Sequence, residues 1–399
     1  MRAALAVIGG GPAGLSTAIF ACVLRPELRE RLLVIERGRY PRDKICAGAI
    51  GARADRLLAT VGVRLDVPAE PIEGMTLRLG TGTVCRRPGG LGRVVRRIEY
   101  DTALARAAAD VGAIVRDGVT VHAVERRSDG VHLQTDAGPV VADAIVGADG
   151  VGSVVRRALG LGPGRLRAQA VEVDTEPVES DGPRDEIVFD LRDASYAGYA
   201  WDFPTLVAGR PLVSRGVYVL RRRDPLRPDP DPGVVLRERL RGLGLDPTRY
   251  AQRRFAERGF EPGARVSAPR VLLVGEAAGI DPVTGEGIAQ AVQYGAIAGA
   301  YLAERWAERD FGFGDWGDVL RASRVGLDLR LRAALLPLAY GRARPCIEAM
   351  LARAPDLLDG PMAWFAGRRV PRGPMLRALF RAAPAALRSV LDATPLRRP

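Results

Sequence analysis

The sequence predicts an α/β fold in which a parallel sheet built from βαβ units is interleaved with a second, β-sheet domain and followed by a C-terminal helical region. Three observations predict it. Ala4-Leu5-Ala6-Val7-Ile8 reads as a buried strand that runs through a glycine turn into a helical run ending near Ala21. Two more strand-to-turn-to-helix segments, at Asp143–Arg157 and Arg270–Ala303, lie far downstream. Between these the chain changes to alternating strands that carry aromatic residues.

In the first turn, Gly9, Gly11 and Gly14 stand at G-x-G-x-x-G spacing. The glycines permit a tight turn, close backbone approach to a pyrophosphate, and close packing of helix on strand. The helix that follows, over Leu15 to Ala21, aims its unpaired N–H groups at the same anion. A second apolar run, Arg31-Leu32-Leu33-Val34-Ile35, ends in Glu36, where an acid meets the ribose of a bound adenosine. The first unit therefore reads as a Rossmann-like dinucleotide site.

The composition narrows the choices. With 399 residues, 47% of them hydrophobic, the chain suits one large or two intimately joined domains. Cys22, Cys46, Cys85 and Cys346 form no C-x-x-C pair and the histidines are only His122 and His132, so neither a metal centre nor a disulfide framework is expected. The formal charge is +12, but Lys44 is the sole lysine and the arginines are scattered through every segment, so no nucleic-acid partner is expected. The first strand begins almost at once and no apolar run reaches the length of a membrane span, which predicts a cytoplasmic chain without a leader.

Cys46 follows Lys44 in a polar-to-small stretch. It is either a small buried hydrophobe or, if Lys44 faces the same cavity, a thiol of lowered pKa. Tyr100 to Ala109 has helical composition, with Asp101 as its expected N-cap and Arg97 just ahead of it. Val119 to Glu125 and Gly130 to Thr135 alternate as strands, and both histidines there read as structural. Asp149 either caps the following helix or meets a cofactor hydroxyl. Tyr196 to Pro204 concentrates aromatics in a chain only 6% aromatic, as either a substrate-facing wall or a core. Residues 221–232 read as a surface loop. Downstream of Trp306, helices are expected over 327–336, 346–353, 375–380 and 386–391, as a packed subdomain or an amphipathic basic surface touching membrane.

Three segments together, Gly9 to Gly14 with Glu36, Gly147 to Gly150, and Val274 to Ile288, resemble the FAD-binding fold of the p-hydroxybenzoate hydroxylase superfamily. Pro41 to Gly48 and Tyr199-Ala200-Trp201-Asp202-Phe203-Pro204 are similar to the geranylgeranyl reductase family within it. The resemblance implies an FAD-binding domain over 1–70, 97–165 and 263–305, a substrate-binding sheet over 71–96 and 166–262, and a helical region over 306–399. It implies Gly9, Gly11, Pro12, Ala13 and Gly14 at the pyrophosphate, Glu36 and Arg37 by the ribose, Arg97 near the phosphates and Val121 by the adenine. It further implies Asp149, Gly275 and Glu276 along the nucleotide, and Pro282, Gly285, Gly287 and Ile288 at the isoalloxazine. Cys46, Ala47 and Gly48 would flank the ring, with Cys46, Tyr199 and Trp201 as catalytic or substrate-cavity residues. Two positions depart from the family: Gly275-Glu276 stands where Gly-Asp is usual, and Cys46-Ala47-Gly48 replaces Cys-Gly-Gly.

The implied activity is an FAD-dependent reductase that passes hydride to a C=C bond of an apolar small molecule. The alternatives are a monooxygenase or halogenase acting through a flavin hydroperoxide on an aromatic or polyketide-like molecule, and a flavoprotein kept for binding or electron relay. No second G-x-G-x-x-G unit appears mid-chain, so the electron donor is expected to be diffusing NAD(P)H or an external reductase or ferredoxin. Peripheral membrane contact through the C-terminal helices is the remaining expectation.

Overall fold

The computed structural model describes residues 1–221 and 229–393, with side chains as far as residue 385. Most of the loop expected over 221–232 thus lies outside the described residues, as do the side chains of the helix expected at 386–391.

The expected parallel sheet is present. Its spatial order is Ser267–Ala268, Val271–Leu273, Val140–Gly147, Arg2–Ile8, Leu32–Ile35 and Ile114–Arg116. Arg2–Ile8 sits in the middle, parallel to strands on both sides. Six of its seven residues are buried, which is why it reads as a continuous apolar run. The hairpin Val121–Arg127 and Gly130–Thr135 adds antiparallel pairing along the start of Val140–Gly147.

A seven-stranded sheet forms the second layer, in the order Arg253–Arg258, Arg167–Thr175, Arg210–Arg221, Gly198–Val207, Glu186–Asp190, Gly74–Leu79 and Gly82–Arg86. Ala49–Gly51, Gly92–Val95 and Ala69–Ile72 make a small third sheet, so the expected boundary at 70/71 falls inside a strand. The helices Trp316–Ala322, Arg324–Tyr340, Arg344–Arg353, Asp359–Phe365 and Arg372–Ala393 follow. The runs read as separate helices at 375–380 and 386–391 are one helix.

Two helices set the geometry of the whole. Pro12–Leu24 crosses Ile288–Glu308 at Gly295 and Gly299. A Cβ on Gly295 would lie 2.5 Å from Ser16 Cβ, and one on Gly299 would lie 2.5 Å from Phe20 Cβ. Only glycine lets the axes approach so closely, and this contact brings two distant helix starts to one end of the parallel sheet.

The expected N-cap at Asp101 is corrected by the structure. The helix begins one turn earlier, at Arg97. Asp101 is fully buried within it and accepts both hydrogen bonds of the Arg97 guanidinium at i,i+4 spacing, each 2.7 Å long. An acid so paired favours the interior of a helix over its cap.

Candidate functional site

A cavity of about 470 Å³ runs between the two helix starts. At one end stand Glu36, Arg37 and Val121; Gly9, Gly11, Pro12, Ala13, Arg97 and Asp149 line the middle. Cys46, Phe255, Glu257, Glu276, Gly285, Gly287 and Ile288 close the other end.

The first glycine turn works position by position. Gly9 has φ +106°, and a Cβ there would overlap the Ala148 carbonyl. Gly14 lies outside the lining, where any Cβ would overlap the Gly9 carbonyl. Gly11 faces open space: nothing comes within 4 Å of its Cβ position except Arg97 Nη2, at 4.0 Å. As N-cap it offers no side-chain acceptor, so the first N–H groups of the helix remain free to bind an anion.

The Glu36 carboxylate is held from three directions. It accepts from the Gly10 N–H at 2.7 Å and the Gly38 N–H at 2.9 Å, and it pairs with Arg42 at 3.1 Å. Arg42 also reaches Asp101 at 3.0 Å, so Glu36, Arg42, Asp101 and Arg97 form an alternating chain of charge along the floor. Arg42 was not singled out from the sequence; it is one arginine among many, and only the fold places it between two acids.

Asp149 supports the start of a helix whose N-cap is Ser153, which corrects the reading of Asp149 as the cap itself. It accepts from Ser153 Oγ at 2.5 Å and the Val154 N–H at 2.6 Å at the start of the helix Val154–Ala158, and it also lines the cavity. Burial pushes its carboxyl up.

Cys46 lines the cavity, but as a thiol. Desolvation raises its pKa and outweighs both Arg97 and Lys44, which corrects the alternative of a lysine-activated thiolate. Lys44 instead pairs at 3.5 Å with Glu276. Ala47 packs against the aromatic cluster, and Gly48, at φ +84°, leaves no room for a Cβ beneath the Val95 carbonyl. Gly275, at φ +57°, lies against Ala13 outside the lining.

Tyr199 and Trp201 do not border the cavity. With Phe189, Phe203 and Tyr218 they form a buried aromatic cluster. Trp201 lies across Gly216 and donates to Ser214 Oγ at 3.3 Å. The Tyr199 hydroxyl donates to the Thr284 carbonyl, Tyr218 to the Pro282 carbonyl at 3.3 Å, and Tyr340 to the Val283 carbonyl at 2.6 Å. Three consecutive carbonyls beside Gly285 are therefore held by three tyrosines, two from the second sheet and one from a C-terminal helix.

That same loop is fixed by charge. Asp281 accepts from the Val283 N–H at 2.7 Å and pairs with Arg332 at 2.5 Å. Arg332 also reaches Asp328 at 2.8 Å and Glu286 at 3.2 Å, and Arg53 meets Glu286 at 2.6 Å. Arg332, Tyr218, Tyr340 and Glu257 were missed from sequence. Glu257 alone left a signal, since Arg253, Phe255 and Glu257 share one face of a strand at period two.

The family profile described as FAD binding domain matches residues 2–227, more than half of the chain. The chain belongs to this family of FAD-dependent oxidoreductases. Digeranylgeranylglycerophospholipid reductase 2 of Methanothermobacter thermautotrophicus is 30% identical to the flavoprotein over 340 residues, covering 76% of this chain and 78% of that one. Menaquinone reductase of Mycobacterium tuberculosis is 29% identical over 374 residues, covering 88% of each. A geranylgeranyl bacteriochlorophyll reductase-like structure from Thermoplasma acidophilum superimposes with TM-score 0.66 at 19% identity, covering 98% of this chain and 99% of that one. The cavity fits FAD on its own terms: an uncapped helix start faces open space at Gly11, Arg97 stands beside it, and an acid closes one end.

Proposed function

We propose that this flavoprotein reduces C=C bonds in the isoprenoid chain of a lipid-like molecule, such as a polyprenyl quinone. The observation that carries the reading is that relatives matched over three quarters or more of their length are reductases of menaquinone and of a digeranylgeranyl lipid. Bound FAD supplies the hydride.

In this reading Gly9 to Gly14 and Arg97 hold the diphosphate, Glu36 takes the ribose hydroxyls, and Val121 lies against the adenine. Gly285 to Ile288 offers backbone to the flavin ring, and the tyrosine-held carbonyls at 282–284 keep that backbone in place. Cys46, as a neutral thiol, contributes shape and low polarity beside the ring. The electron donor in this reading is NAD(P)H or an external reductase or ferredoxin.

An apolar substrate is met most readily at a lipid surface. Leu327, Leu331, Leu335 and Leu338 are exposed along Arg324–Tyr340, and among the described residues no helix is long and apolar enough to cross a membrane. These leucines support peripheral contact of the helix with lipid.

The test is anaerobic reduction of the holoprotein followed by addition of menaquinone. Reoxidation of the flavin without oxygen, with a product two hydrogens heavier in its prenyl chain, is expected. Reoxidation only on admitting oxygen, with an oxygen atom in the product, would establish a monooxygenase instead.

A further inference from the structure

Among the described residues, two acids line the cavity near Gly285: Glu276 pairs with Lys44, whereas Glu257 has no ion-pair partner. It projects from the edge strand Arg253–Arg258 with Phe255 and lines the cavity beside Gly285. Its Oε1 and Oε2 lie 3.3 and 2.7 Å from the position a Cβ would take on Gly285, so the carboxyl rests directly on that glycine. Gly285, at φ +65°, leaves the space it fills. Oε2 is sealed from solvent and has no hydrogen-bond partner.

A carboxylate in that position would be a buried charge without compensation. Burial first, then the neighbouring charge of Glu276, raises the Glu257 pKa well above the ordinary range; Lys44 opposes the rise and Asp281 adds to it. Tyr199 and Tyr218, the other titratable groups close to it, are themselves held neutral by burial. Burial thus favours the neutral, protonated form of the acid, and its carboxyl lines the cavity against Gly285.

We propose that Glu257 is the acid that delivers the proton to carbon when a C=C bond is reduced at this site, an assignment that rests on the reductase reading. The balance is complete. One alkene carbon gains a C–H bond from the hydride pair given up by reduced flavin, and the other gains the Glu257 proton as the O–H bond breaks. The alkene π bond is lost and two electrons leave the flavin, to be restored by an NAD(P)H-class donor. The carboxylate left behind recovers its proton from water at the mouth, where the half-exposed Lys44 meets Glu276.

The test compares wild type with Glu257→Gln, which keeps the shape and loses the acid. Infrared spectra of the holoprotein at neutral pH should contain the C=O stretch of a protonated, desolvated carboxylic acid, and the variant should lack it. Anaerobic reoxidation of the reduced flavin, scored only as menaquinone gains two hydrogens in its prenyl chain so that reduction of the quinone ring is not counted, should slow by about 100-fold or more in the variant, with flavin content and reduction by dithionite unchanged. In wild type the reoxidation should slow in D₂O, a readout that stands if the variant fails to fold. Equal reoxidation rates in wild type and variant, no isotope effect, or no such infrared band would overturn the assignment. A wild-type flavin that menaquinone leaves reduced while oxygen reoxidises it would overturn the reductase reading and the proton's destination together, a result distinct from equal rates in the two proteins.

Discussion

Arg97→Met separates what an arginine does for the fold from what it does for the cofactor. Arg97 donates two 2.7 Å hydrogen bonds to Asp101, and the two side chains are 5% and 0% exposed. Breaking a buried pair from one side costs about 3–5 kcal/mol, because the remaining charge is stranded. Arg42 stays on Asp101 at 3.0 Å, which places the loss near the lower end, about 3 kcal/mol. With about 2.1 cal/mol/K of unfolding entropy per residue, a chain of 399 residues loses about 4 °C of Tm for that amount. If Arg97 meets the diphosphate as proposed, losing that charge-assisted contact costs a further ~1.5–3 kcal/mol of binding, or about 10- to 150-fold in FAD affinity. The double variant Arg97→Met/Asp101→Leu removes the stranded carboxylate as well. Thermal melts of the apoprotein should then recover most of the lost Tm, while FAD titrations followed by flavin fluorescence should stay weak. Recovery of affinity together with Tm would mean that Arg97 acts only by pairing Asp101, and the phosphate role would be refuted.

The two glycines of the first turn should part company on substitution. Gly9→Ala meets both a positive φ and the Ala148 carbonyl and should yield little folded protein, whereas Gly11→Ala should keep the apoprotein Tm within about 1 °C and weaken FAD binding, both read from melts and flavin content. Glu172 is fully buried, and desolvation pushes its carboxyl up to about 7 although Arg253 lies 3.1 Å away. A folded-state pKa above the unfolded value of about 4.3 makes stability fall as pH rises from about 4.3 to about 7, by ~4 kcal/mol; urea melts should give that slope in wild type and a flatter one in Glu172→Gln. Tyr340→Phe removes the donor to the Val283 carbonyl and should cost about 1–3 kcal/mol, with a shift in the visible spectrum of bound flavin if the 282–284 loop carries the ring.

Where sequence succeeded, the cause was local. Gly9, Gly11 and Gly14 and the acid at Glu36 belong to one βαβ unit, and their spacing alone brings them together. Their downstream partners could be seen because a strand, a turn and a helix recur at Gly147 and Gly275. Arg42 and Arg332 could not, since in a chain this rich in arginine the choice among them is made by which acid is buried nearby. Asp101 failed as a cap because the helix starts one turn earlier at Arg97, and there Asp101 is held by Arg97 within the helix and by Arg42 from another segment. Glu257 was legible only as a face of a strand, because its value lies in what it lacks, a hydrogen-bond partner.

The aromatic strand teaches the sharper lesson. Tyr199, Trp201 and Phe203 alternate along Gly198–Val207 and so share one face, but that face meets Leu358, Met362 and Phe365 of the C-terminal region rather than the cavity. The residues that do line the cavity beside Gly285, Phe255 and Glu257, come from the edge strand at the other side of the same sheet. The aromatic cluster therefore acts on the site through its hydroxyls, by holding the 282–284 carbonyls, and its rings join the sheet to the helices. Arg332 and Tyr340 complete that arrangement from Arg324–Tyr340. A helix whose outer face exposes Leu327, Leu331, Leu335 and Leu338 thus has its inner face tied, through Arg332 and Tyr340, to the loop that carries Asp281, Val283 and Glu286.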